Sequence, residues 1–160
     1  MKRTALYLSL LLAAGSAAAQ PAGVADVRVT IGPELQEKAK DYGERDLQRL
    51  AADLEADVEK ALVARGRLGG GARLDLVLTD ARPSRPTFEQ MAQRPGLDMR
   101  SVSNGGATIE GEEIGPDGQR RPVSFSWYES DIRWAGAKSV WTDAEHAFGR
   151  FARQYAEGKR

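Results

Sequence analysis

Thr142-Asp-Ala-Glu-His-Ala-Phe-Gly-Arg-Phe-Ala-Arg-Gln-Tyr155 is the stretch that decides the fold. Ala144, Ala147, Phe148, Phe151, Ala152 and Tyr155 recur every three or four positions, so a helix here carries one continuous apolar stripe. Thr142 reads as its N-cap with Glu145 as the capping-box partner, and Gly158 marks its end. A stripe of that width must be covered by an apolar layer. The chain just ahead supplies one: Val123, Phe125 and Trp127 alternate with Ser124, Ser126 and Tyr128, the period of a strand with one dry face. Gly106–Ile114 reads as its hairpin partner, with Ala107 and Ile109 pointing inward, and Pro116-Asp-Gly118 turns the chain between them.

Further out, Leu47, Leu50, Leu54, Val58 and Leu62 repeat at helical spacing, with Arg49 and Asp53 on the wet face. Asp41 with Glu44 reads as the cap that starts this helix, while Gly66 and the run Gly69-Gly70-Gly71 are expected to stop it and turn the chain. Residues 72–80 alternate as a strand, with Leu74, Leu76 and Leu78 on one face and Val77 between Asp75 and Thr79 on the other. Val27, Val29 and Ile31 against Arg28 and Thr30 give the first strand, ended by Gly32-Pro33. The order β-α-β-β-β-α predicts an α+β two-layer sandwich: a four-stranded, mostly antiparallel or mixed sheet with two helices on one face.

Ahead of the first strand, Lys2 and Arg3, an uncharged apolar run over 5–14, and Ala17 and Ala19 form the pattern of a secretory signal peptide over residues 1–19. Cleavage is expected before Gln20. The run is too short for a permanent membrane span, so no transmembrane segment is expected in the mature chain. Residues 20–160 then read as one domain, periplasmic or secreted. Without Lys2 and Arg3 the balance is 21 basic against 23 acidic residues, a net of −2 that gives no reason to expect nucleic acid. There is no cysteine, so neither disulfides nor thiol chemistry is available.

The chain is poor in chemistry. His146, its single histidine, falls opposite the apolar stripe and reads as a surface residue. One histidine and no cysteine do not build a zinc site, so no metal and no cofactor are expected. Glu110, Glu112 and Glu113 read as solvated edge charges, with Glu113 on the opposite face from the other two. Ser103-Asn-Gly-Gly106 reads as a turn needing positive φ rather than a phosphate loop, since it lacks the lysine and the following helix.

The connection 81–105 is longer than most inside a compact domain, and connections of that length tend to be functional. Arg82, Arg85, Arg94 and Arg100 outweigh Glu89 and Asp98 there, a local net of +2. Thr87 and Gln90 are placed to cap one helical turn presenting Phe88 and Met91, which Pro95 ends. This predicts a docking arm, with Arg82, Arg85, Phe88, Arg94 and Arg100 as partner-binding residues and Trp134 as an exposed aromatic beside them. The partner expected is another envelope protein or an anionic envelope component.

Val27-Arg-Val-Thr-Ile31, Leu74-Asp-Leu-Val-Leu-Thr-Asp80, Ser103-Asn-Gly-Gly-Ala107 and Trp141-Thr-Asp-Ala144 with Phe151 resemble small exported Gram-negative proteins that carry a domain of unknown function. The element order is similar to that of the amino-terminal module of TolB and related outer-membrane lipoprotein domains, although the lipobox cysteine of many such modules is absent here. The resemblance implies a non-enzymatic binding or assembly module of the cell envelope, with no activity to carry over. Two other readings stand beside it: a small-ligand carrier for sugar, peptide or lipid using Trp134 and Trp141, and a hydrolase or lyase using Glu110 or Asp80 beside Arg100.

Overall fold

The computed structural model describes residues 23–133 and 138–159; the expected signal peptide and Trp134 lie outside them. The elements run β1 (Val24–Ile31), α1 (Pro33–Glu37), α2 (Ala39–Tyr42), α3 (Glu44–Ala64), β2 (Leu68–Arg82), α4 (Phe88–Gln93), β3 (Gly106–Ile114), β4 (Arg120–Tyr128) and α5 (Thr142–Ala156). The sheet order is β1-β2-β3-β4. β1 and β2 are parallel, joined by the α3 crossover, while β3 and β4 continue antiparallel. The sheet is therefore mixed, and the fold is the expected α+β, with three short helices added.

α3 and α5 pack on each other and on one sheet face. Leu47, Leu50, Leu54, Val58 and Leu62 from α3 are fully buried against the sheet leucines Leu74, Leu76 and Leu78. Each such side chain contributes about 2 kcal/mol by leaving water. α5 buries Phe148, Phe151 and Tyr155, and Phe125 of β4 meets Phe151 at 5.7 Å between ring centres. The hairpin turn is as expected, with Gly118 at φ +79°.

Several expectations need correction. α3 starts on Gly43, not on an Asp41 cap, and no side chain caps it; Asp41 is itself inside α2. Thr142 is the first residue of α5 rather than its N-cap, because its hydroxyl is taken by the backbone N–H of Ser139 at 2.8 Å. Gly69–Gly71 does not turn the chain: these residues belong to β2, whose register with β1 shifts at Val24. A Cβ on Gly70 would run into the Gly23 backbone, so the glycine permits that close approach. Gly105 and Gly106 likewise serve packing rather than a turn, since a Cβ on Gly105 would lie 2.6 Å from the Arg82 carbonyl oxygen. Glu113 is not a solvated charge. It shares the inward parity of Ala107 and Ile109, is 1% exposed, pairs with Arg121 at 3.0 Å and accepts the Tyr155 hydroxyl at 3.0 Å.

Candidate docking surface

The connection after β2 is a loop closed at its neck, and Asp143 is the clasp. Asp143 sits in the first turn of α5 and is fully buried. Its Oδ2 accepts the Ser84 hydroxyl at 2.8 Å and the Gly105 N–H at 3.0 Å, so one carboxylate oxygen holds both ends of the loop. The Ser84 oxygen in turn accepts the Asp143 N–H at 3.2 Å. Ser103 closes the same neck by donating to the Pro83 and Ser84 carbonyls. On the other side, Lys138 Nζ lies 2.7 Å from Asp143 Oδ1 and 3.4 Å from Glu129, with only 8% of its side chain exposed. Burial raises the Asp143 pKa, but the Lys138 ammonium, the Ser84 hydroxyl and the Gly105 N–H outweigh it and hold the carboxyl below its ordinary value.

The loop's far part is fixed as well. α4 begins with a full Thr87–Gln90 capping box, as the spacing predicted. The Thr87 hydroxyl donates to the Asp41 carbonyl at 2.7 Å, and Gln93 donates to the Lys40 carbonyl at 2.7 Å, which ties α4 to α2. On this tethered frame Phe88 is 77% exposed, and Met99 and Val102 are exposed too. A groove of about 350 Å³ beside Phe88 is bordered by Arg49, Val140, Trp141 and Glu145.

The arginines divide into two kinds. Arg82 is engaged with Asp80 at 3.2 Å and lies over the Tyr128 ring at 4.7 Å. Arg85 donates to the Lys138 carbonyl at 2.6 Å and the Met99 carbonyl at 2.7 Å, so it braces the loop from inside. Arg94 reaches Asp41 at 3.3 Å and stays largely exposed, and Arg100 is exposed. Trp134 is among the residues not described. Trp141, offered for ligand stacking, is 1% exposed, donates to Asp46 at 2.7 Å and meets Tyr42 edge-on, so it is core rather than platform.

Asp80 and Glu110 do share a cleft, of about 410 Å³, with Glu34, Thr79 and Thr108. Asp80 accepts from Lys38 at 2.6 Å and from the Tyr128 hydroxyl at 2.7 Å. Burial raises its pKa, but these two donors and Arg82 outweigh it and lower it below the ordinary value. A carboxylate so held is a poor proton donor. Lys38 and Arg82 are its basic partners, not the Arg100 suggested by sequence. His146 is exposed, as expected.

No family model matches the chain, and no curated protein does either. Among solved structures, the chain is similar to a protein named as a lipoprotein in Caulobacter crescentus CB15, at 14% identity over 82% of this chain and 85% of that one, with a TM-score of 0.38. It is also similar to a minor lipoprotein of Acinetobacter baumannii, at 13% identity over 86% and 91%, with a TM-score of 0.37. The TolB-type link finds no support among them. No helix of the described residues is long and apolar enough to cross a membrane.

The residues that sequence reasoning missed are the clasp and its partners. A signal was present: Asp143 lies four residues before Ala147 and eight before Phe151, on the apolar stripe itself. A charge on that stripe has to be buried and paired.

Proposed function

We propose that this protein is a non-enzymatic binding module of the cell envelope, periplasmic or secreted, whose loop 81–105 docks on another envelope protein. The observation that supports this reading is Phe88, a large aromatic side chain 77% exposed on a helix that a capping box and two side-chain tethers hold in place. An aromatic anchor with arginine nearby is the composition of an interface centre. Arg94 and Arg100, both exposed, follow it in the chain and add positive charge, which fits a partner with an acidic rim. Arg85 braces the loop, and Arg82 is engaged with Asp80 and Tyr128 of the sheet, so neither is assigned a partner contact.

The test is a crosslinking pull-down from intact cells with Phe88→Ser and with Arg94→Ser/Arg100→Ser. Because these side chains are exposed, melting temperature stays within about 2 °C of the parent, as surface changes generally do. Phe88→Ser is expected to reduce capture of the partner by roughly thirtyfold, the effect of a hot-spot truncation. The double arginine variant is expected to weaken the salt dependence of capture. An unchanged partner set in both variants refutes the loop as the docking surface.

A further inference from the structure

A second surface lies where β4 forms one border of the sheet and α5 runs beside it. Among the described residues, strand order leaves β4 with a single neighbour, β3. The direction of its backbone groups follows from pairing. Glu129 donates to the Gly105 carbonyl at 2.9 Å and Gly115 to the Gln119 carbonyl at 2.8 Å. In an antiparallel ladder such hydrogen-bonded pairs alternate with non-bonded ones. With Ala107 opposite Trp127 and Ile109 opposite Phe125, the odd-numbered residues of β4 bond inward to β3. Ser124, Ser126 and Tyr128 therefore turn their N–H and C=O groups to the open side. Pro122 shares their parity, and its missing N–H falls on that open side, where proline is tolerated. It ends the usable border at one end.

The other border is guarded. Glu55 of α3 reaches over β1 and accepts the Val29 N–H at 3.3 Å. Among the described residues no side chain accepts from the N–H of Ser124 or Ser126. Beside them is an apolar groove of about 250 Å³ between β4 and α5, lined by Val123, Phe125, Phe151, Gln154, Tyr155 and Lys159. Basic groups stand at both ends. Arg150 lies over Trp127 at 4.6 Å at one end, and at the other the Lys159 side chain, 72% exposed, pairs with Glu157 at 2.9 Å.

We propose that β4 and this groove take up an extended peptide segment of a partner by strand addition, with alternate apolar side chains in the groove and acidic groups at its ends. Free backbone donors and acceptors on one strand demand an extended occupant, since only a strand matches their spacing. The groove accepts every second side chain of that occupant. Arg150 and Lys159 set its end charges.

The test uses the mature chain and a labelled seven-residue peptide alternating valine and threonine with glutamate at each end. Binding is read by fluorescence polarisation, and amide shifts are followed by NMR. Saturable binding is expected, with the largest shifts at the N–H groups of Ser124, Ser126 and Tyr128. Arg150→Glu/Lys159→Glu is expected to weaken binding at least tenfold, and a peptide with lysine ends is expected to recover it on that variant. The N-methylated peptide is expected not to bind, since it cannot pair with the strand. Circular dichroism melts verify that each variant is folded. No binding at millimolar peptide, equal binding of the N-methylated form, shifts elsewhere in the sheet, or self-association through β4 would each overturn the proposal.

Discussion

Asp143→Asn is the sharpest perturbation available, because it removes one charge and almost no volume. The amide oxygen can still accept from Ser84 and Gly105, so the cost falls on Lys138, whose ammonium is 2.7 Å from Asp143 Oδ1 and 8% exposed. Stranding one member of a buried pair costs about 3–5 kcal/mol. Glu129 at 3.4 Å compensates part of that, so the lower end, about 3 kcal/mol, is the expectation. For a domain of this size that corresponds to a fall in melting temperature of about 10 °C. The assay is thermal unfolding by circular dichroism at pH 7, parent against variant. Because Asp143 has a lower pKa in the folded than in the unfolded chain, its stabilisation is complete above the ordinary carboxylate range and is lost as pH falls through the folded value. The difference between the two proteins should therefore narrow below about pH 4. Adding Lys138→Met should restore part of the loss, since no ammonium is then left unpaired. A melting temperature within about 2 °C of the parent at pH 7, or a gap that persists unchanged at pH 2, would refute the buried Lys138–Asp143 pair.

Gly111→Ala tests the β2–β3 register: a Cβ there would run into the Asp75 carbonyl oxygen, so the pairing must open, and a loss of about 3 kcal/mol in a urea melt is expected. Tyr128 is pushed up to about 12 by burial and by its hydrogen bond to Asp80. Its contribution to stability is present below pH 10 and is lost as pH rises through about 12. Burial raises Tyr42 as well, so ultraviolet titration should show a late-ionising tyrosine component that shrinks in Tyr128→Phe and shifts partly back toward pH 10 in Asp80→Asn. If all tyrosines titrate together in the parent protein, the Asp80–Tyr128 bond is not formed in solution.

The sheet and the two long helices were legible because each is written in one clean period. Leu74, Leu76 and Leu78 alternate, and Leu47 through Leu62 recur every three or four, so burial is set by local spacing alone. What was not legible depends on distant partners. The Gly69–Gly71 run looks like a stop signal, and only the approach of Gly23 across the sheet makes it strand. Thr142 has the sequence of a cap, but Ser139 competes for its hydroxyl. Glu113 and Asp143 both carry an inward parity that sequence does reveal. Their burial was missed because a carboxylate is expected to seek water, and two of the partners that make burial tolerable, Tyr155 for Glu113 and Ser84 for Asp143, are remote in the chain. At the loop, the capping box and the presentation of Phe88 were both expected from the spacing, while the tethers that hold α4 on α2 were not legible.

Those tethers separate stability from recognition. An exposed phenylalanine on a slack loop would collapse onto the nearest apolar surface, and a partner would have to order the loop before gripping it, at about 0.5–1.5 kcal/mol for each side chain immobilised. Here the ordering is done in advance by Asp143 at the neck and by Asp41 and Lys40 at the tip. Two variants should therefore fail in opposite ways. Phe88→Ser keeps the melting temperature and loses the partner, because the side chain contributes contact and no packing. Asp143→Ala, which removes the acceptor of both neck bonds, lowers the melting temperature and, even at temperatures where the chain is fully folded, weakens capture by slowing association, because the neck opens and the phenylalanine is no longer held in place. Protease cleavage within 83–105 should accelerate in the second variant and not in the first. Equal cleavage in both, with capture lost only in Phe88→Ser, would show that the loop keeps its shape without the clasp, and that the buried carboxylate serves the core alone.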